Sequence, residues 1–338
     1  MKKIVTLTGV KATGMPHVGN YLGAMRPAIE RLKNNIENKN EFLYFIPDYH
    51  SLISHKDSGF IRNSSYEVAA TWLACGLDPQ KVIFYRQSDV PQILEMTWIL
   101  SCFTPKGDLN RAHAYKALTA QNKELGREDE DQGVNAGLFY YPILMAADIL
   151  LFDTNFVPVG QDQRQHVEMA RSIAQRMNHY YKKELLVEPQ ELIEKDVATV
   201  VGLDGRKMSK SYDNSIPLFI DDKTLKKYIN KIKTDSTGVN DPKDPETSPI
   251  FQIYAAFNKN NLHEIDELRQ RFLRGISWGE AKEELLKVMS AELSPLREKY
   301  DYYINHKSEL DQLLRAGAEK AKLIAQKKIE LLRSFVID

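Results

Sequence analysis

Two lysines that stand three residues apart, Lys207 and Lys210, are the side chains in this sequence best suited to binding a polyphosphate. They belong to a short segment, Lys-Met-Ser-Lys-Ser at residues 207–211, which also carries two serine hydroxyls. A loop of this kind can place two ammonium groups around one phosphate chain, and the serines add hydrogen-bond donors. The pentapeptide by itself is a weak signal for phosphate binding, and the chemistry that it suits is stabilisation of negative charge.

A glycine-bearing loop near the start of the chain is the second candidate phosphate site. It spans residues 8–20, between an apolar run at residues 4–7 and a predicted helix. Apolar residues at helical spacing indicate that helix: Leu22, Met25, Ile29, Leu32 and Ile36. Such a loop presents free backbone N–H groups and the positive end of a helix dipole to an anion. Its spacing matches neither the dinucleotide fingerprint nor the Walker phosphate loop.

A third candidate site lies on a predicted helix between these two segments. Tyr141, Met145 and Asp148 occupy positions i, i+4 and i+7, so they share one face of a largely apolar helix. A buried aspartate is costly unless a donor satisfies it. The spacing leaves two alternatives open, because the donor can belong to a ligand or to the protein itself.

The first two segments together resemble the signatures of the class I aminoacyl-tRNA synthetases. Residues 17–20 (His-Val-Gly-Asn) are similar to the HIGH motif in its HxGN form, and residues 207–211 are an intact KMSKS motif. The resemblance implies activation of an amino acid by ATP, followed by transfer to a tRNA 3′ end. It also implies that His17, Lys207 and Lys210 are catalytic, stabilising the pyrophosphate as it departs.

Segments between the two motifs resemble the bacterial tryptophanyl branch of that class. Residues 145–151 (Met-Ala-Ala-Asp-Ile-Leu-Leu) and 157–166 (Val-Pro-Val-Gly-Gln-Asp-Gln-Arg-Gln-His) have the tryptophanyl form. Tyrosyl enzymes usually carry glutamine where this chain has Met145. The resemblance therefore implies L-tryptophan and tRNA(Trp) as substrates of a tryptophan–tRNA ligase.

The same resemblance implies a role for each residue of an amino-acid pocket. Asp148 would accept the indole N–H, and Tyr141 and Gln163 would hold the ammonium end. The remaining pocket residues that it implies are Leu7, Gly9, His50, Met145, Val157 and Val159. A buried acceptor rejects an amino acid that lacks the matching donor by roughly 10⁴–10⁵-fold, so no editing domain is expected.

ATP is the implied co-substrate, with Mg²⁺ held mainly by its phosphates. Neither a bound prosthetic group nor a protein metal site is expected. The implied ATP contacts are Lys11, Ala12, Thr13, Gly19, Asn20, Gly160, Gln161, Asp162, Val200, Lys207, Met208, Ser209, Lys210 and Ser211. Many bacterial relatives have glutamine where this chain has Lys11 and lysine where it has Leu118, so the phosphate contacts here are expected to differ in detail.

The rest of the sequence predicts the elements that position these residues. Strand-like apolar runs at residues 4–7, 42–46, 82–85 and 156–159 alternate with amphipathic helical segments. The alternation predicts an α/β fold, with a Rossmann-like parallel sheet of the HUP type that the resemblance implies. Ligands bind such sheets at the carboxyl ends of the strands, where the loops after Leu7, Ile46 and Val159 should meet.

We divide the chain into a catalytic domain, residues 1–215, and a helical domain, residues 216–338. The first contains an inserted helical segment at about residues 104–155, whose polar part, residues 104–135, is expected to contain a mobile loop. The second is lysine-rich and helical, and its last helix is expected to pack back on the catalytic domain. The resemblance implies that this domain reads the tRNA anticodon and that the enzyme is a homodimer.

Composition narrows the classes of protein to which this chain can belong. The 338 residues carry 46 lysines and arginines and 46 acidic residues, which argues against a general nucleic-acid coat but permits a local RNA-binding face. The longest apolar run, residues 138–152, is interrupted by Asp148 and is shorter than the ~20 residues of a spanning helix. A cytoplasmic protein without a membrane partner is predicted. Alternatives are a tyrosyl-tRNA synthetase, a small-molecule nucleotidyltransferase and a non-catalytic tRNA-binding paralogue.

Overall fold

A parallel sheet of five strands is the framework of the N-terminal part of the chain. The computed structural model describes residues 4–35, 40–193 and 200–337. The strands lie in the order β3-β2-β1-β4-β5, with bounds β1 (Ile4–Gly9), β2 (Asn40–Ile46), β3 (Ile83–Arg86), β4 (Phe156–Pro158) and β5 (Gln190–Leu192). The direction of winding reverses between β1 and β4, where the loops of such a sheet form a ligand-binding crevice. The predicted α/β fold is confirmed.

Helices cover the sheet and follow it. Those within the sheet region are α1 (Val18–Asn20), α2 (Arg26–Lys33), α3 (Asp48–Ser51), α4 (Ser58–Ala74), α5 (Gln92–Ser101), α6 (Lys106–Asn110), α7 (His113–Glu124), α8 (Ala136–Leu150) and α9 (Arg164–Tyr181). Those that follow are α10 (Asp222–Asn230), α11 (Pro249–Phe257), α12 (Leu262–Arg274), α13 (Trp278–Asn305) and α14 (Lys307–Val336). A π-helical turn at Tyr21–Met25 joins α1 to α2. Ile36, the last residue of the predicted periodicity there, lies outside the described residues.

The polar stretch at residues 104–135, which lies in the expected inserted helical segment, contains α6 and α7 as well as loops. The buried Asn122 amide donates to the carbonyls of Glu130 and Gln132, both at 2.8 Å, and so closes the turn after α7. The short edge strand β5 was not expected, because three residues, two of them polar, are too few to show an apolar alternation.

The sheet separates two hydrophobic cores because alternate residues of a strand face opposite sides. In β2, Phe42, Tyr44 and Ile46 point into one core, which extends into helices α10 to α13. Leu43 and Phe45 point into the other, against α5, α8 and α9. Helices α10 to α13 therefore share a core with the face of the sheet that carries Phe42, Tyr44 and Ile46.

The last helix, α14, lies directly against β3. Gly317 makes that approach possible, since a Cβ at this position would lie 1.8 Å from the Phe84 carbonyl oxygen. Farther along α14, the buried Lys328 donates to Asp153 Oδ1 at 2.6 Å and to the Leu185 carbonyl at 3.0 Å. A packed glycine and a buried cation therefore fix α14 on the sheet.

Candidate functional site

The loop between β1 and α1 is held in shape by hydrogen bonds to its backbone. Gly14 has a φ of 87°, a conformation that favours glycine, and its N–H donates to Ser64 Oγ at 2.9 Å. Ser51 Oγ donates to the carbonyl of the buried Ala12 at 2.8 Å. Beside them, desolvation lowers the pKa of Lys11. The loop predicted to contact ATP is therefore preformed.

His17 caps the helix that follows this loop. Its Nδ1 accepts the Asn20 N–H at 3.3 Å, and Asn20 Oδ1 accepts the His17 N–H at 3.1 Å, which makes a reciprocal capping box. Burial and, to a smaller extent, the nearby charge of Lys210 lower the pKa of His17 to about 4. An imidazole that accepts through Nδ1 and stays neutral carries its proton on Nε2, where it can donate to a phosphate oxygen.

The lysine hairpin, residues 200–214, is a separate structural unit. Val201 and Lys207 form an antiparallel bridge, and the Met208 N–H donates to the Val200 carbonyl at 2.8 Å. The buried Asn214 closes the hairpin: its Oδ1 accepts the Ser209 N–H at 2.8 Å and its Nδ2 donates to Asp204 Oδ1 at 2.7 Å. It also donates to the Lys207 carbonyl at 3.1 Å. One amide thus connects both ends of the segment that carries the two lysines.

The hairpin and the first loop are in direct contact. Lys210 Nζ donates to the Thr13 carbonyl at 2.8 Å, and the Gly19 N–H points at Met208 Sδ at 3.2 Å. The chain just after the hairpin also bonds to this loop. The Leu218 N–H donates to the Pro16 carbonyl at 3.1 Å, and the Val18 N–H donates to the Ile216 carbonyl at 2.9 Å. The fold therefore brings the two predicted phosphate segments together.

Electrostatics favour anion binding at this contact. Burial lowers the pKa of the Lys210 ammonium, and Glu67 opposes that shift. Burial in turn raises the pKa of Glu67, while Lys210 and Lys307 lower it. Lys207 and Ser211 are exposed on the same hairpin. An incoming polyphosphate would supply Lys210 with stronger partners than one carboxyl group and one backbone carbonyl.

A buried polar cluster of Asp148, His50 and Gln87 lies at the carboxyl ends of β2 and β3. The Asp148 side chain is 1% exposed. Its Oδ2 contacts His50 Nε2 at 3.0 Å, and Gln87 Nε2 donates to Oδ1 at 2.8 Å and to Oδ2 at 2.9 Å. Burial raises the pKa of Asp148, and the bonds from His50 and Gln87 oppose that shift. Protein donors thus satisfy the aspartate, one of the two alternatives the sequence left open, and they do not exhaust its acceptor capacity.

Apolar residues of the predicted amino-acid pocket lie beside this cluster. Leu7 and Val157 belong to one buried core, and Met145 and Val159 pack against it. Gly9 is exposed at the end of β1, where a Cβ would come within 2.7 Å of the Phe45 ring.

Tyr141 and the end of β4 form the outer part of the site. The Tyr141 hydroxyl and His166 Nε2 are 2.6 Å apart, and the Tyr141 and His50 rings meet edge to face with centroids 6.3 Å apart. Gly160 and Gln161 are exposed just after β4, and the Gln163 N–H donates to the Gly160 carbonyl at 2.9 Å. The side chain of Asp162, a predicted ATP contact, lies outside the described residues.

Three residues of the site were not predicted from sequence: Gln87, Asn214 and His166. Gln87 immediately follows β3, so the rule that ligands bind at strand ends could have pointed to it. Asn214 follows the KMSKS motif closely but carries no signal of its own in one sequence. His166 is buried against Tyr141 and so is not a surface residue. Contacts rather than spacing identify these three.

The described residues contain no group of three or more His, Cys, Asp or Glu side chains arranged to hold a metal ion. Among the helices bounded above, none combines the length and the apolar character needed to cross a bilayer.

Comparison with known proteins agrees with this geometry. Residues 1–294 match the sequence model of the class I tRNA synthetases (W and Y). A tryptophan–tRNA ligase of Pseudomonas aeruginosa is 51% identical over 332 residues, covering 98% of this chain and 73% of that protein. One from Neisseria meningitidis is 48% identical over 336 residues, covering 99% and 98% of the two chains.

A solved structure gives the same result. The tryptophanyl-tRNA synthetase of Campylobacter jejuni, complexed with ADP and tryptophan, superposes with a TM-score of 0.84 at 42% identity. The match covers 98% of this chain and 99% of that one. A lysine hairpin docked on a capped helix, a buried aspartate beside it and relatives of this similarity lead to one conclusion: the chain belongs to the class I tRNA synthetases of the tryptophan and tyrosine family.

Proposed function

We propose that this protein is a tryptophan–tRNA ligase. It would activate L-tryptophan with ATP to give tryptophanyl-adenylate and pyrophosphate, and then transfer the tryptophanyl group to the 3′ end of tRNA(Trp). The observation that carries the proposal is the contact between the lysine hairpin and the β1–α1 loop, at the same sheet edge as the buried polar cluster. Relatives named tryptophan–tRNA ligase at about half identity support it.

In the first step a tryptophan carboxylate oxygen attacks the α-phosphorus of ATP. The bond to the bridging oxygen breaks, and pyrophosphate leaves with its electron pair. No protein nucleophile is needed, because rate enhancement can come from alignment and from stabilisation of the departing charge. Mg²⁺ enters as part of the nucleotide substrate.

We assign stabilisation of the pyrophosphate charge to Lys207, Lys210 and His17. Lys210 already spans from the hairpin to the β1–α1 loop, so a small shift of its ammonium group would place it on a phosphate oxygen. The neutral His17 offers its Nε2 proton as a donor. We assign the rest of the nucleotide to residues 160–162, of which Gly160 and Gln161 are exposed, to Gly19 and Asn20, and to the hairpin backbone.

Selection of the amino acid is assigned to the buried polar cluster. A free acceptor position on Asp148 would take the indole N–H, while Leu7, Met145, Val157 and Val159 contact the ring. Phenylalanine has no such donor and would leave a desolvated carboxylate with an unfilled acceptor position. Tyr141 and Gln163 are assigned to the substrate ammonium group.

In the second step a hydroxyl of the terminal tRNA ribose attacks the acyl carbon of the adenylate, and AMP leaves. We propose that α10–α14 contact the anticodon part of tRNA(Trp), that the enzyme is a homodimer and that it acts in the cytoplasm. The domain division at about residue 215 is proposed on the same basis.

Pyrophosphate exchange with each of the twenty amino acids, followed by tRNA charging, tests the assignment. Exchange with tryptophan alone, together with charging of tRNA(Trp), is the expected result. Exchange with tyrosine would identify a tyrosyl enzyme. Exchange without charging of any tRNA would indicate a small-molecule nucleotidyltransferase, and no exchange at all would indicate a non-catalytic tRNA-binding protein.

A further inference from the structure

Gln87 is a fully buried amide whose two ends are both engaged. Its exposed fraction is 0%, and it begins the 3₁₀ turn that follows β3. Its Nε2 contacts both oxygens of Asp148, at 2.8 and 2.9 Å, and its Oε1 accepts the Tyr49 N–H at 3.1 Å. Because the oxygen faces a donor and the nitrogen faces a carboxylate, only one orientation of the amide satisfies both ends.

The backbone beside Gln87 is equally constrained. The next residue, Ser88, donates its N–H to Asp48 Oδ1 at 3.0 Å, and its hydroxyl bonds to the other Asp48 oxygen. Asp48 begins α3, two residues after the end of β2 and two residues before His50. The ends of β2 and β3 are thus tied together, so His50 and Gln87 approach Asp148 as one unit.

These contacts leave the Asp148 carboxylate with one unoccupied acceptor position. A carboxylate offers about four acceptor positions. Gln87 occupies one on each oxygen, and His50 Nε2 occupies a second on Oδ2. The remaining lone pair lies on Oδ1, in a setting where burial disfavours the charged form.

We propose that Gln87 is a positioning residue for amino-acid selection, which directs the free lone pair of Asp148 Oδ1 toward an indole N–H donor. The inference rests on the proposed function, because it takes Asp148 to be the acceptor of that donor. Gln87 itself does not contact the substrate. Its bonds favour the ionised carboxylate and fix the group at one rotation, so that an amino acid with a ring N–H gains a bond that an isosteric ring without one does not.

The experiment compares tryptophan with β-(3-benzothienyl)alanine, in which sulfur replaces the indole N–H at nearly constant shape. The ratio of the two kcat/KM values is measured by pyrophosphate exchange for the wild-type chain and for Gln87→Met. Removing one charge-assisted donor should lower kcat/KM for tryptophan by roughly tenfold to a hundredfold and leave the thiophene analogue within about threefold. The KM for ATP should not change.

Gln87→Glu gives a second measurement that does not depend on the first variant folding. It keeps the side-chain shape and the acceptor for the Tyr49 N–H, but at neutral pH it places a second carboxylate against Asp148. The tryptophan preference should fall at least as far as in Gln87→Met. It should recover partly at lower pH, where the introduced carboxyl becomes a donor again. Gln92→Met is the matched control, since that amide bonds Gln326 away from the site.

The outcomes distinguish a failure of the role given to Gln87 from a failure of the role given to Asp148. Equal losses for both amino acids in the Gln87 variants would mean a structural role only and would overturn the inference, as would an unchanged ratio. A wild-type chain that uses both amino acids equally well would instead remove Asp148 as the indole acceptor, and the proposed selectivity would fail with it.

Discussion

The buried polar cluster and the lysine hairpin lie at one sheet edge but are built in opposite ways. Asp148 and Gln87 are almost completely withdrawn from solvent, and three hydrogen bonds fix the carboxylate. Lys207 and Lys210 are exposed on a hairpin that contacts the β1–α1 loop through one ammonium group and a few backbone bonds. One region is rigid and desolvated, whereas the other is accessible and held by fewer contacts.

The difference follows from what each region has to distinguish. Selecting one aromatic ring by one donor requires exclusion of water, because water would replace the missing bond in a wrong complex. Stabilising a charge that appears only as pyrophosphate departs requires cations that can reach the phosphates and release the product. Four substitutions or conditions probe this contrast.

The largest effect is expected from Lys210→Ala. Removing the ammonium that bridges the hairpin and the β1–α1 loop should lower the maximal rate of pyrophosphate exchange by about 10²–10³-fold, because the transition-state charge loses a donor. The KM for tryptophan should stay within about threefold, since the buried polar cluster is untouched. Lys223→Ala, an exposed lysine on α10, is the control. Unchanged exchange in the Lys210 variant would refute its assigned role.

Asp148→Asn should weaken the use of tryptophan rather than that of ATP. The KM for tryptophan is expected to rise by roughly tenfold to a hundredfold, because an ionised acceptor is lost, while the KM for ATP changes little. Steady-state exchange at varied concentrations of each substrate gives both values. Asp129→Asn, at an exposed aspartate between α7 and α8, is the control. Parallel losses for ATP and tryptophan would show that the two regions do not divide the work as proposed.

Asn214→Ala is expected to loosen the hairpin without removing a lysine. Its amide supports the Ser209 N–H, Asp204 and the Lys207 carbonyl, and the bond from Asn214 is the largest cause of lowering the pKa of Asp204 to about 2. Exchange should slow by about tenfold through misplacement of the ammonium groups. Limited trypsin digestion should also cut faster at Arg206 and Lys207. Wild-type digestion kinetics would contradict this assignment.

The smallest effect on kcat/KM for ATP is expected from a change of pH between about 8 and 5.5. Because the pKa of His17 is lowered to about 4, the ring stays neutral throughout this range, and it should add no inflection near 6.5 to the pH profile of kcat/KM for ATP. His17→Asn, which keeps a capping acceptor but cannot titrate, is the comparison. An inflection near 6.5 that is present in the wild type and lost in the variant would contradict the neutral form.

The lowered pKa of His17 also predicts how the free energy of unfolding changes with pH. The unfolded chain takes up a proton at this histidine near pH 6.5, whereas the folded chain does so only near pH 4. Stability should therefore decline as pH falls through that window, and it should decline less in His17→Asn. Urea unfolding at several pH values measures the difference.

Much of the fold could be predicted because its signals are local. Apolar runs in β1 to β4 alternate with helical periodicity, and the helices after residue 215 follow from spacing alone. One failure was also local: β5 is a strand of three residues, too short to show an apolar alternation. Secondary structure held by a few tertiary bonds leaves little trace in composition.

By itself the sequence determined the chemistry of the phosphate end, since residues 17–20 and 207–211 combine types and order that are recognisable without a structure. It also placed Tyr141, Met145 and Asp148 on one helix face, because helical spacing is a local property. Only the tertiary structure decided what surrounds Asp148. Gln87 and His50 come from other strand ends, and Asn214 acts through an amide whose partners lie across a turn. Hydrogen bonds between distant segments depend on how elements pack, and no spacing within one segment encodes them.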